Sequence, residues 1–386
     1  MKIIMVTHHF GRSGGQSRVN YEVVRHAAKA GHETCLISAS VDADLLDVPG
    51  VHWVKATHGP LPTALVRNFW FAVSSARALR RIRQPADVVV VNGGITFGSS
   101  DINAVHFVHG GWRASPSYEP GRGLRGLYQR LYGWLNAHLE RGAFAASKVV
   151  VAVSRRVAAE LEAIGVATEK IRVVPNGVDV EEFNVGVRDR AKLGLPENAT
   201  IALFVGDITT ERKNLATVLL AMSCTPGPVL VVVGSTTGSR FPLDARRLGL
   251  ESRVIFLGFR RDIADLMKAS DIFVFPSRYE ACSLVLLEAL ASGLPIITAE
   301  TAGGAELIPE EAGVKLVDPN DAEALARELS RLAHAPQLRQ EMGAAARRHA
   351  LSLTWENTAQ GYLDLCTASA RSVTDRLTSS QSVGSP

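Results

Sequence analysis

Cysteine is scarce. Cys35, Cys224, Cys282 and Cys366 are the only four in 386 residues, they stand far apart, and no CxxC pair occurs. That spacing argues against a zinc site and a disulfide framework, and a reducing cytoplasm is the compartment it suggests. No run of eighteen or more apolar residues exists, so no membrane-spanning helix is expected. The opening Met1-Lys2-Ile3-Ile4-Met5-Val6 is apolar for too few residues to be a signal peptide, and is expected to form a first strand. Excess charge is lacking as well: the formal net charge is +4, which gives no reason to expect nucleic acid as a partner. No G-x-G-x-x-G follows the first expected strand, and there is no acid at the tip of the second, which reads Leu36-Ile37-Ser38-Ala39-Ser40. Both absences argue against NAD. No cluster of carboxylates points to a metal, so no metal and no other cofactor is expected.

What is present is a globular composition, 46% hydrophobic and 21% charged, in a chain too long for one ordinary core. Short β-branched runs alternate with longer amphipathic stretches. In the first half the runs are 3–7, 34–38, 88–92, 105–108, 149–154 and 172–175; in the second half they are 201–206, 229–234, 254–257, 272–276 and 296–299. Val88-Val89-Val90-Val91 and Leu230-Val231-Val232-Val233 are apolar on both faces, as strands of a parallel sheet covered by helices on both sides must be. The α/β pattern occurs twice, with the turn-rich Pro175-Asn176-Gly177-Val178-Asp179 between the sets. The expected architecture is two Rossmann-like, doubly wound domains facing across a cleft: 1–175, then 176–353. A helix over 354–377 with Trp355, Tyr362 and Leu365 on one side is expected next, and 378–386, rich in Ser, Gly and Pro, as a disordered tail. Ligands of such sheets sit at the carboxyl ends of the strands, so the loops there are where chemistry is sought.

Four such loops stand out. Pro276-Ser277-Arg278-Tyr279-Glu280-Ala281-Cys282-Ser283-Leu284 leads from a strand into a helix that carries Glu288. Helix N-termini suit phosphates and hydroxyls, and each carboxylate can accept two hydroxyl donors from a vicinal diol. If most of the intervening residues are helical, Glu280 and Glu288 are separated by about 10 Å of rise. Two exposed helix glutamates are the competing reading. Phe204-Val205-Gly206-Asp207 leads through a loop to Arg212-Lys213. A fork of donors and a mobile point charge there would neutralise a diphosphate, whereas elsewhere such a pair is ordinary solvated surface. Gly11-Arg12-Ser13-Gly14-Gly15-Gln16 follows the first strand, and its glycines let a ligand approach the backbone. Phe107-Val108-His109-Gly110-Gly111-Trp112 places His109 at a strand end, with either a structural or a catalytic role; His8 and His9 compete with it on geometry.

In their order along the chain these segments resemble the retaining GT-B glycosyltransferases of the family-four kind, from the first strand to about Tyr362. The resemblance implies that Glu280 contacts the donor sugar, that Ala281, Cys282, Ser283 and Leu284 line the donor site, and that Glu288 binds the ribose. It implies that Arg212 and Lys213, beside Gly206, grip the donor phosphates, that Gly14 and Gly15 lie next to those phosphates, and that His109 lies near the reacting carbon. Many members carry an Arg directly after the glycine where this chain has Asp207. Ala302-Gly303-Gly304-Ala305-Glu306 resembles a further loop near the phosphates, with Glu306 either a pocket residue or a helix cap.

The implied activity is transfer of a hexose-type sugar from a nucleotide-diphosphate sugar, with a uridine or guanosine base, to a glycan, lipid-linked or small-molecule acceptor. Configuration is retained and no metal is needed. A nucleotide-sugar epimerase of the same fold, or a degenerate protein that binds without turnover, competes with this reading; a phosphorylase does not, since no context singles out a lysine for pyridoxal phosphate. The stretch Leu124–Arg141 has Leu124, Leu127, Leu131 and Leu135 on one face, amid Tyr128, Tyr132, Trp134 and several arginines. It reads either as a surface helix in peripheral contact with anionic lipid, on the inner face of the membrane, or as a helix packing its leucines on the first domain with arginines outward.

Overall fold

The computed structural model describes residues 1–59, 63–187 and 189–382, with side chains as far as Arg371. It divides into two compact units: Met1–Asn176 together with Trp355–Pro386, and Gly177–Thr354.

The first unit is built on strands β1 (Lys2–Val6), β2 (His9–Phe10), β3 (Glu33–Ser38), β4 (Ser40–Val41), β5 (Val51–Lys55), β6 (Val88–Asn92), β7 (Ile102–Val105), β8 (Val149–Ala152) and β9 (Ile171–Val173). Seven of them form one parallel sheet in the order β5-β3-β1-β6-β7-β8-β9, while β2 and β4 pair separately. β6 is buried along its whole length, as an all-valine run covered on both faces should be. The second unit has β10 (Ile201–Val205), β11 (Val229–Val233), β12 (Val254–Gly258), β13 (Ile272–Phe275), β14 (Ile296–Ala299) and β15 (Gly313–Leu316), all parallel, in the order β12-β11-β10-β13-β14-β15. This is the doubly wound α/β class read from the strand pattern. In each unit the strand order reverses once, between β1 and β6 and between β10 and β13. A crevice opens at such a switch point because the connections on its two sides leave toward opposite faces of the sheet.

The opposite ends of both sheets are fixed by the same device. Asp271, just before β13, accepts hydrogen bonds from the Ile201 N–H of β10 at 2.8 Å and from Arg190 Nη2 at 2.7 Å. The Arg190 guanidinium also donates to the carbonyls of Ala269, Glu197 and Ala199. Asp101, just before β7, accepts from the Val89 N–H of β6 and pairs with Arg83 and Lys148. A carboxylate buried at a strand start is tolerable only because cations and backbone donors saturate it.

Three features differ from expectation. The run 105–108 is not a strand: β7 ends at Val105, and Val108 is the N-cap of a short helix, His109–Ala114. β5 and β15, the sheet edges, were not expected, because Val-His-Trp-Val-Lys and Gly-Val-Lys-Leu are mixed runs and not apolar ones. The helix Gly123–Ala146 buries Gly126, Gly133, Ala137, Glu140 and Phe144, while Leu124, Leu127, Leu131 and Trp134 point to solvent. The reading in which its leucines pack inward is therefore corrected.

The last helix, Trp355–Ser382, is grouped with the first unit and packs on the helix Gly15–Lys29. Trp355, Ala359, Tyr362, Leu363 and Cys366 are buried, with Leu365 only half so. It takes in residues 378–382 of the expected tail, and 383–386 lie outside the described residues.

Removing the Asp271 carboxylate leaves a buried guanidinium and an unsatisfied strand N–H. Asp271→Ala is expected to lower unfolding free energy by about 3–5 kcal/mol, read as a fall in the urea midpoint. A loss under about 1 kcal/mol, the range of an exposed pair, would show that the network contributes little.

Candidate active site

The two loops that flank the switch point of the second unit follow β10 and β13. The first turns at Gly206. A Cβ there would stand 3.4 Å from the Lys213 stem and from the Phe275 ring, so glycine leaves just enough room for Lys213 to lie over that ring, with Nζ 5.1 Å from its centroid. A 3₁₀ turn, Glu211–Lys213, carries both cations and ends at Asn214. Asn214 is the one non-glycine residue with positive φ among the described residues, at 64°, a conformation asparagine tolerates better than most. Its fully buried side chain donates to the carbonyls of Pro276 at 3.0 Å and Pro319 at 2.6 Å, and accepts from Thr217 Oγ1 at 2.7 Å. One amide thus ties the β10 loop to the β13 loop.

Glu280 is the focus. Its Oε1 receives Lys213 Nζ at 2.5 Å, Ser277 Oγ at 3.1 Å and Arg212 Nη1 at 3.4 Å. Arg212 Nη1 also lies 3.3 Å from the Tyr279 carbonyl, and the Arg278 N–H donates to the Arg212 carbonyl at 3.0 Å. Beyond Glu280 the chain is clamped by the loop after β14. The Gly303 N–H donates to the Glu280 carbonyl, the Ser283 N–H donates to the Gly303 carbonyl, and a Cβ on Gly303 would stand 2.0 Å from the Ala281 oxygen. Glu306 accepts from the Gly304 N–H at 2.9 Å, which is capping geometry.

Burial pushes the Lys213 ammonium below its usual pKa; the Glu280 carboxylate opposes this and Arg212 adds to it. For Asp207 burial alone would raise the pKa, but hydrogen bonds from Thr209 and the charges of Arg212 and Lys213 outweigh it and bring the carboxyl below its ordinary range. The cluster holds two cations against the Glu280 carboxylate at close range. With Asp207 also in the field of both cations the charges balance at rest; a phosphate that displaced Glu280 would meet both cations, and the carboxylate beside it is suited to hydroxyls.

Glu288 sits half-buried on the helix Leu284–Ala291. That helix begins only at Leu284, with Ser283 at its N-cap, so roughly half of the interval from Glu280 is helical and the expected rise of about 10 Å is not reached by helix alone. Ala281 and Cys282 are half-buried in the loop before it, and Ser283 is buried.

In the first unit Gly14 has φ 84° and is the N-cap of the helix Gly15–Lys29, which has no acid in its first turn. Gln16 Nε2 donates to Thr7 Oγ1 at 3.3 Å. His109 opens its short helix and donates nothing to solvent from Nδ1: that atom lies 3.0 Å from Glu140 Oε2, while Glu140 also accepts the backbone N–H groups of His109 and Gly110. The imidazole is thereby oriented, with Nε2 as its remaining nitrogen. Glu140 escaped the sequence reading; the signal was its being the single acid in a helix otherwise charged by arginine. His8 lines a separate cavity of about 180 Å³ with His58, Ala64, Arg67 and Asn68. Its Nδ1 is 3.0 Å from His58 Nε2, and burial, with His58 and Arg67 adding to it, pushes its pKa down to about 4. His9 is held by Ser40 and Asp42. Asp42-Ala43-Asp44, passed over in the sequence, has a spacing seen in metal sites, but its carboxylates engage the Arg12 N–H, the Arg12 guanidinium and the Tyr21 hydroxyl. Among the described residues no group of three or more His, Cys, Asp or Glu side chains is placed to hold a metal ion, and no helix is long and apolar enough to cross a membrane.

Two doubly wound parallel units in one chain, with paired cations at a switch point, define the GT-B class. Residues 13–182 match the family described as Glycosyltransferase Family 4, and residues 187–349 match Glycosyl transferases group 1. The chain belongs to this family of glycosyltransferases. A D-inositol 3-phosphate glycosyltransferase of Streptomyces griseus is 35% identical over 53% of this chain and 47% of its own length. Another from Salinispora arenicola is 27% identical over 92% of this chain and 87% of its own. The aligned stretch thus spans about half the length of the first of these curated relatives. Sucrose-phosphate synthase of Thermosynechococcus elongatus superposes with a TM-score of 0.79 at 23% identity, covering 95% of this chain and 99% of that one, and shows the shared fold.

Asn214 provides a test of how the two loops are held. Asn214→Ala should destabilise the chain by roughly 3 kcal/mol, through two orphaned carbonyls and an alanine forced to positive φ. Asn214→Gly relieves only the second effect and should cost about 1 kcal/mol less. Urea unfolding that left both variants unchanged would remove Asn214 as the tie.

Proposed function

We propose that the protein is a retaining hexosyltransferase that moves a sugar from a nucleotide-diphosphate sugar to a glycan, lipid-linked or small-molecule acceptor, without a metal. The observation that carries this reading is the contact of Lys213 and Arg212 with Glu280 at the switch point of the second unit. In displacement at the anomeric carbon, the charge that develops lies on the departing diphosphate. Fixed cations aimed there stabilise it more than they stabilise the ground state. Lys213 is mostly buried, so its charge is poorly screened and acts strongly on a phosphate that displaces the Glu280 contact. Glu280, released from the ammonium, can then accept sugar hydroxyls, and Glu288 is assigned to the ribose diol. Gly206 and the loop Ala281–Leu284 give the backbone approach to the donor.

On the first unit, His109 is assigned to the sugar or the reacting carbon, oriented by Glu140, and Gly14 and Gly15 to phosphate approach. Retention by a front-face route, in which the departing phosphate takes the acceptor proton, agrees with the family. The relatives named for D-inositol 3-phosphate make a small phosphorylated polyol a rational member of any acceptor panel.

Turnover tests this directly. Incubation with a panel of uridine and guanosine diphosphate sugars and candidate acceptors should release free nucleotide diphosphate only when an acceptor is present. Lys213→Met and Arg212→Ala should each lower kcat by roughly 10²–10³-fold. An isomerised donor would assign epimerisation instead, and binding without turnover across the panel would assign a degenerate binding protein.

A further inference from the structure

The helix Gly123–Ala146 is turned inside out relative to an ordinary surface helix. Glycine and alanine face the core at Gly126, Gly133 and Ala137, while Leu124 is 88% exposed, Leu127 62%, Leu131 50% and Trp134 54%. These four lie within eleven residues, about 15 Å of helix, on one side. The helix Ala64–Ile82 lies alongside: the Leu65 N–H reaches the Tyr128 hydroxyl at 3.3 Å, and Asn68 donates to the Tyr132 hydroxyl at 3.3 Å. It exposes Phe69 and Trp70, and Phe69 touches the exposed Phe97 ring at 5.6 Å. So many large apolar groups on neighbouring helices exceed the scattered exposure of an ordinary surface.

Charge decides what covers them. The helix Ala64–Ile82 contains no Asp or Glu, and the single acid of Gly123–Ala146, Glu140, is buried against His109. The exposed charges beside the patch are Arg67, Arg122, Arg125 and Arg130. A second copy docked on the same face would set four arginines against four, with only Glu119, exposed in the segment before Arg122, to receive them. A lipid surface with anionic headgroups meets both needs at once: it receives guanidinium groups at phosphate level and takes leucine, phenylalanine and tryptophan side chains just beneath.

We propose that this flank of the first unit, from Leu124 to Trp134 with Phe69 and Trp70, docks on an anionic lipid bilayer without crossing it. The proposal goes beyond glycosyl transfer and does not depend on it.

Sedimentation of the full chain with phosphatidylcholine vesicles, with and without phosphatidylglycerol, tests it. Binding is expected only when phosphatidylglycerol is present, and should weaken as salt is raised. Exchanging Arg122, Arg125 and Arg130 for glutamine should lower partitioning about a hundredfold and flatten the salt dependence. Leu124→Ser, Leu127→Ser and Leu131→Ser together should lower it at least about tenfold, whereas Leu243→Ser, at an exposed leucine of the second unit, should leave it unchanged. All variants should retain the thermal unfolding of the parent, since the substituted side chains are exposed. The proposal is overturned by absence of vesicle binding, by equal binding to neutral vesicles, or by binding that neither triple variant weakens. Concentration-dependent dimers abolished by the leucine variant would give the face to a second copy and overturn it as well.

Discussion

The meeting of the Lys213 ammonium and the Glu280 carboxylate over the ring of Phe275 is the contact on which the second unit's site depends. It exists because β10 and β13 are neighbours in space though far apart in sequence, so that loops leaving their carboxyl ends converge. Every unusual backbone feature nearby serves that convergence. Asn214 accepts a left-handed conformation and joins the loops, Gly206 yields space for the lysine stem, and Gly303 lets the next loop press against Glu280 and Ala281. At the far end of the same strands, Asp271 and Arg190 hold β10 and β13 in register.

The energetics of this contact explain how a resting protein keeps two cations in a half-buried place. Burying an ammonium is unfavourable, and the lowered pKa of Lys213 records that cost; the carboxylate offsets part of it. A phosphate group is a better partner than one carboxylate, because it presents more charge and more acceptor oxygens to the same donors. On the proposed function, donor binding exchanges one anion for another at preformed cations, with little rearrangement of the protein's own charges.

The fold was legible because its signal is redundant. Valine-rich strands such as β6 can be buried on both faces in few other ways; the reading missed β5 and β15, mixed runs that carry lysine at sheet edges, and set the strand near 105 too late, since β7 is Ile102–Val105. Glu280, Arg212 and Lys213 were legible from their place after strands. Asn214, Ser277 and Glu140 were not, because a residue that positions another leaves no signature until both are in space: nothing in the sequence says that Glu140 turns back onto His109, thirty-one residues earlier. Which way the leucines of Gly123–Ala146 face was left open for a related reason. Helical periodicity reports that a stripe exists, but small residues on the opposite side, Gly126, Gly133 and Ala137, decide which side packs inward.

The central claim is that Glu280 occupies, at rest, cations that belong to the donor's phosphates. Calorimetric titration of uridine and guanosine diphosphate into the intact chain and into Glu280→Gln tests this most directly. The account predicts that the glutamine variant binds one of these nucleotides several-fold more tightly than the parent, since a competing anion has been removed, while sugar transfer falls by at least roughly a hundredfold. Weaker nucleotide binding by Glu280→Gln, with the variant folded, would contradict it.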